Sequence, residues 1–446
     1  LTGLPKAGSE QARKTIEMTQ FSEEFIQWIR RAWKQMVLRS GVITIGAIIL
    51  LVLGLALGWR AHTRGRFARL KAELRQSSTP PAMSSPRPGG QEPVILERSP
   101  IEAGTVPEFT SATILPGRGM NVLQITAVLP GKGKVNLLAS PTLEEAGQQM
   151  TGTDSDKGGA LSLAMGGAVE APWAGELFGT PTQGGLSTHW NDHIVRLPAA
   201  RQESGKAWAE GGLLLASQGT EVKSNVMPDG GEAEAVYTIG DPGGVWPSRT
   251  KIKTTVQLSG RTLTMKIAAT NIGDTPEPVG LGWCPRFAIL SHHREAMRLR
   301  LPSVTREERS SPRAGLPTGR LISVEGTPQD FSSIEGRQLG KSSLEGTFVN
   351  LRQAPLDSGP VAELWDSENK FGLRITMLSA AIKAVRASAP AGEGFIVLEP
   401  RFNYDDPFGE EWAKEDKAGM VTLQPGSSIQ WSIRLEIYGP AKPSAA

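Results

Sequence analysis

Cys284 is the only cysteine in 446 residues, and it lies in GLGWCPRFAIL (280–290) between Trp283 and Pro285. Two of the five histidines, His292 and His293, follow closely. A cysteine hydrolase would need this thiol with a histidine brought near it by the fold. His292 and His293 stand beside Arg294 and Glu295 at the end of an apolar run, the setting of solvated loop histidines. His189 and His193, in THWNDHIVRL, have the i,i+4 spacing that holds a metal on a helix, or share one face of a strand. No third ligand is evident, so neither a metal nor a cofactor is expected. The better acid–base candidate is Glu399, which closes the apolar run of Phe395, Ile396, Val397 and Leu398 just before Pro400. Partial desolvation there would raise its pKa and suit a general base; the other reading is a strand-end surface glutamate. Dinucleotide fingerprints, phosphate loops and His-Glu-x-x-His zinc motifs are absent from the sequence.

The elements that must position these groups are mostly strands. Fifty-one glycines and 32 prolines indicate many turns. Apolar–polar alternation runs through 250–260, 262–273, 372–378, 394–400 and 428–439, with turn residues such as Asp229-Gly230-Gly231 and Ser259-Gly260 between strands. This pattern predicts a large antiparallel β-sandwich over 101–440. One cysteine excludes an intrachain disulfide and a cysteine-rich zinc site.

The N-terminal part differs in kind. Residues 41–59, GVITIGAIILLVLGLALGW, carry no charge and end at Trp59 and Arg60, so 41–60 is expected to be a single transmembrane helix. In 1–40, the apolar residues Phe21, Phe25, Trp28, Ile29, Ala32, Trp33 and Met36 recur at helical spacing around Arg30, Arg31 and Lys34. That is an amphipathic helix for the membrane surface, or for a partner subunit. Residues 61–100 read as a basic juxtamembrane helix followed by a Ser/Pro/Gly linker over 76–93. Residues 1–75 hold 13 Lys and Arg against 5 Asp and Glu, a net +8 that leaves −5 for the rest of the chain. This points to lipid headgroups rather than nucleic acid. The layout resembles bacterial type II anchors, which places the protein in the bacterial inner membrane with its large domain outside the cytoplasm, although strict charge counting mildly favours the opposite orientation.

Four segments in order, 166–179 (GGAVEAPWAGELFG), 269–287 (ATNIGDTPEPVGLGWCPRF), 316–351 (beginning LPTGRLISVEGTPQDF) and 395–402 (FIVLEPRF), resemble the aldose 1-epimerase (galactose mutarotase) superfamily. The resemblance implies a β-supersandwich with a sugar in a cleft on one face. A glutamate base and a histidine acid would open the ring, with a second histidine and an arginine holding the sugar. Carried over by position, Glu399 matches the base, Cys284 replaces the acid in Gly-Trp-His-Pro, and Glu176 replaces the arginine of Ala-Asn-Arg. Gly211 falls where the second histidine belongs. A thiol, with an unperturbed pKa of roughly 8.5, does not match an imidazole poised near neutrality. Glu176 near Glu399 would raise a carboxylate pKa and repel ligand oxygens. The chain is therefore expected to be a catalytically inactive, membrane-tethered relative, acting as an accessory subunit of a membrane complex or as a carbohydrate-recognition module. Trp173, Trp283, Arg286, Asp330 and Trp412 are candidate sugar contacts, and Trp208 is a further stacking residue. The competing expectation is an active hexose mutarotase with Glu399 as base and a relocated acid from His189, His193 or Asp330.

Overall fold

Alternation of apolar and polar residues becomes strand pairing at each place noted above: Thr250–Ser259, Thr262–Asn271, Phe371–Met377, Phe395–Arg401 and Ser428–Tyr438 are all strands. The computed structural model describes residues 26–33 and 85–440, the latter with gaps at 100–103, 152–155, 157, 204, 241–243, 311–314, 413–417 and 419. The chain divides into two compact units, Leu1–Ser84 and Ser85–Ala446.

In the second unit, one sheet has eleven strands and another nine. The eleven-stranded sheet runs from Val94–Glu97 through Gly167–Glu170, Gly282–Ala288, Phe395–Arg401, Ala384–Ala389 and Leu344–Val349 to Pro317–Ser323. The nine-stranded sheet runs from Glu221–Met227 through Thr262–Asn271 and Ser428–Tyr438 to Arg337–Gln338. Side chains from both sheets share one core. Ile125, Trp283, Phe348 and Leu398 come from the first, and Val256, Ile267, Trp431 and Leu435 from the second. Each such side chain contributes about 1.5–3 kcal/mol on leaving water. A smaller five-stranded sheet, His193–Leu197 to Arg201–Glu203, carries its own core around Trp173, Leu177, Leu197 and Trp246.

The folded unit begins earlier than its composition suggests. Residues 85–93 fall in the expected linker, yet Pro88 and Gly89 are buried. Gly89 donates its N–H to the Met150 carbonyl at 2.6 Å, and Gln218 Nε2 donates to the Gly89 carbonyl at 2.6 Å. Gly89 has φ 70°, and a side chain there would strike the Gly117 backbone. The Pro-Gly-Gly run is thus a tight turn pressed on the sandwich, and Val94–Glu97 already pairs with Glu108–Leu115. The sandwich therefore starts near 85 rather than 101.

In the first unit, residues 26–33 are helical, inside the expected amphipathic stretch, and expose Ile26, Trp28, Ile29 and Trp33. The expected span at 41–60 and the basic segment at 61–84 lie outside the described residues. Among the described residues, no helix is long and apolar enough to cross a membrane.

Candidate functional site

The site is written into the strand period. Residues two apart on a strand share a face, so Gly282, Cys284 and Arg286 lie on one side of the eleven-stranded sheet while Trp283 and Phe287 enter the core. The same alternation sends Val397, Glu399 and Arg401 outward and Ile396 and Leu398 inward. Cross-strand register assembles these outward residues into rows. Gly282 stands between Glu170 and Arg401; Arg386 stands between Glu399 and Thr347; Arg286, Val397, Ser388 and Glu345 form the outermost row. Glu176, Arg201 and Glu210 come from the five-stranded sheet, where Glu176 pairs with Glu210 across two strands. Apart from Gly282, Thr347 and Arg401, these groups line a cavity of about 320 Å³ whose walls carry five glutamates and four arginines.

All four positions carried over from the resemblance, Glu399, Cys284, Glu176 and Gly211, line this one cavity. Among the proposed sugar contacts, only Arg286 does. Trp283 is fully buried on the opposite face of its strand, because it alternates with Cys284. Trp173 stacks on Trp246 at 5.3 Å inside the smaller core. Trp208 is buried beneath Arg201, whose guanidinium lies 4.5 Å above its ring. Trp412 packs on Tyr404 and donates its indole N–H to the Asp405 carbonyl at 2.9 Å. Asp330 closes a turn, accepting from the Gly326 and Ser332 N–H groups, both at 3.0 Å. His189 and His193 sit on the two strands of an exposed hairpin, where Trp190 pairs with His193. His293 is exposed and bonded to Glu368 at 2.8 Å. None of these residues lines the cavity, so the acids named for a relocated relay are not in place.

The floor is an ion network centred on Arg401, which is fully buried. Its Nη1 donates to Glu399 Oε1 at 3.0 Å, and its Nη2 to Asp405 Oδ1 at 2.7 Å and Thr347 Oγ1 at 2.8 Å. Gly175, at φ 69°, leaves the space that Arg401 Nη1 occupies, and a side chain there would overlap it. Arg386 bridges Glu345 at 2.9 Å and Glu399 at 3.5 Å. Burial works against the Arg386 charge, but Glu345 and Glu399 outweigh it and push its pKa further up. Burial alone would raise the Asp405 carboxyl; Arg401 and Arg309 instead hold it well below the usual carboxylate range. Glu176 is not the free repelling charge expected from the sequence. It is paired with Arg309 and with Arg201, the latter at 3.3 Å, so the charge reversal at this position is locally compensated.

Sequence reading missed Glu170. Its carboxyl is 1 % exposed, and its Oε1 accepts from the Gly175 N–H at 3.3 Å. Candidate ligand atoms of Glu170, Cys284 and Glu399 all lie within 4.8 Å of one another. Burial, then the charge of Glu399, push Glu170 well above the usual carboxylate range, which favours its protonated form. Its only sequence signal is a glutamate inside the apolar run GGAVEAPW. Burial, then Glu399 and Glu170, likewise push the Cys284 thiol up. The native protein should therefore resist a neutral-pH thiol reagent and react only on unfolding. Rapid labelling of the folded chain would contradict this.

Residues 219–436 match the family model described as aldose 1-epimerase. No curated protein matches the chain. A galactose mutarotase-like protein from Clostridium acetobutylicum superposes with a TM-score of 0.59 at 17% identity, covering 78% of this chain and 99% of that one. The GalM/aldose epimerase homologue from C. elegans gives 0.58 at 17% identity, over 78% and 100%. The fold is that of the galactose mutarotase-like proteins. Within this mutarotase-like sandwich, burial raises several carboxyls above their ordinary range and favours their protonated forms, which sets an unusual pH dependence. Burial pushes Glu277 up to about 7 and Asp406 up to about 8, and Glu170 and Glu307 also rise. In the unfolded chain these groups titrate near 4. The stability they contribute is thus fully present below about pH 4 and is lost as pH rises through the folded values. Asp405 acts oppositely, and only in strong acid. The melting temperature should fall between pH 5.5 and pH 8.5. A flat or rising trend in calorimetry would contradict this assignment.

Proposed function

We propose that the cleft is a carbohydrate-recognition site from which the glutamate–histidine proton relay has been dismantled. On this reading the protein is a recognition or accessory subunit, tethered to a membrane through 41–60. One observation carries the loss of catalysis: Glu399 is held by Arg401 and Arg386 beside a buried thiol instead of an imidazole. Accepting a proton would forfeit both ion pairs, and nothing at position 284 returns a proton to the ring oxygen near neutral pH. Carbohydrate recognition is supported by the cavity's size, which suits one small ligand, and by its lining of glutamates and arginines, which can accept from and donate to hydroxyl groups. Glu170 favours a second reading. A buried carboxylic acid in the same cluster as a carboxylate is an acid–base pair in its own right, and it would place the relocated acid at a residue other than those expected. Polarimetry on freshly dissolved α-galactose and α-glucose separates the two readings. An unaccelerated approach to equilibrium is expected, and a clear acceleration would overturn the first reading in favour of the second.

A further inference from the structure

Three of the four arginines in the cleft already have carboxylate partners: Arg201 with Glu176 and Glu210, Arg309 with Glu176 and Asp405, Arg386 with Glu345 and Glu399. Arg286 is different. Among the described residues it forms no ion pair with a carboxylate, and its Nη1 reaches only the Leu163 carbonyl, at 3.5 Å. Its Nε is buried without an acceptor. The guanidinium carbon lies over the Phe395 ring, 3.8 Å from its centre. Burial is the main influence on its pKa and lowers it, as does the neighbouring Arg386, while Cys284 and Glu393 act in the opposite direction without outweighing burial. A desolvated cation without a carboxylate in contact is costly to hold, and a ligand anion would reduce that cost.

We propose that Arg286 is the specificity residue of the cleft and reads the carboxylate of a hexuronic acid at the end of the sugar remote from Glu399. The inference deepens the carbohydrate-recognition reading and rests on it. Register supplies the geometry: Arg286 lies opposite Val397, two residues along the strand from Glu399. That step is roughly 7 Å, the scale of a pyranose ring. A sugar whose anomeric end faces Glu399 and Cys284 therefore brings its exocyclic carboxylate to the row of Arg286, Val397 and Ser388. A guanidinium stacked on an aromatic ring presents its fork edge-on, the arrangement that suits bidentate carboxylate binding. One unpaired guanidinium balances one negative charge, which favours a carboxylate over a phosphate dianion.

Calorimetric titration of the full chain with galacturonate, glucuronate, galactose, glucose and galactose 6-phosphate tests this. The uronates should bind at least about tenfold more tightly than the neutral hexoses, as expected for a charge-assisted hydrogen-bonded pair. The advantage should weaken with salt. Arg286→Gln should abolish it, bringing uronate and neutral-sugar affinities together, and Arg286→Lys, which keeps the charge without the fork, should retain part of it. Melting curves establish that both variants are folded. Equal affinity for uronate and neutral sugar, or an advantage that survives Arg286→Gln, overturns the role of Arg286 and leaves carbohydrate recognition standing. Tighter binding of the 6-phosphate overturns the uronate assignment. If no sugar binds, the recognition reading and this inference fall together.

Discussion

Replacing Arg401 with methionine is expected to lower folding stability by about 3–5 kcal/mol, the range for breaking a buried ion pair by removing one partner. The loss is large because of what remains. Glu399 and Asp405 are each 1 % exposed. They would keep Arg386 at 3.5 Å and Arg309 at 3.0 Å respectively, but lose their closest cation. Glu307, itself fully buried and pushed up by burial and by Asp405, would lose the partial compensation that the same guanidinium supplies. Methionine fills much of the volume, so the effect isolates charge and hydrogen bonding from cavity formation. Urea denaturation would measure it. The variant should recover part of the loss at mildly acid pH, where the orphaned carboxyls take up protons and shed their charge. A loss under 1 kcal/mol would mean that the neighbouring arginines reorganise to carry the network without Arg401.

The mutarotation rate is the second large effect, and it is expected as an absence. General acid–base groups contribute roughly 10²–10⁴-fold each. An imidazole acid is missing at 284, and the arginine position is occupied by Glu176, itself tied to Arg309 and Arg201. The wild-type chain should leave the decay of optical rotation at its spontaneous rate. Glu399→Gln and Glu170→Gln should then change nothing in polarimetry. The same pair of variants makes the competing outcome interpretable. If wild type accelerates the reaction and either substitution abolishes the acceleration, Glu170 and Glu399 act as acid and base, and the relay has moved across the floor of the cleft rather than vanished. Acceleration that survives both variants would point to chemistry outside this cluster.

Local sequence determined the strands, because side-chain period two is a local property: Thr262–Asn271 and Ser428–Tyr438 were legible from alternation alone. It also marked the residues in the four ordered segments, including Glu399, Cys284 and Glu176, which do line one cavity. Composition misled at 85–93, where Pro and Gly form a packed turn instead of a tether, because a turn and a linker draw on the same residues. Tryptophans misled as sugar contacts, since position 283 differs from position 284 by one residue and therefore by a whole sheet face. What only the tertiary structure decided was partnership. Arg309 lies 133 residues from Glu176, and Glu170 lies 229 residues from Glu399, on strands separated in the sheet by Gly282–Ala288. Whether an arginine serves as a counter-ion depends on which carboxylates the register sets beside it. That register is fixed by long-range pairing and burial of the opposite face, so the difference between Arg386, paired twice, and Arg286, paired with no carboxylate among the described residues, has no trace in the residues around either one.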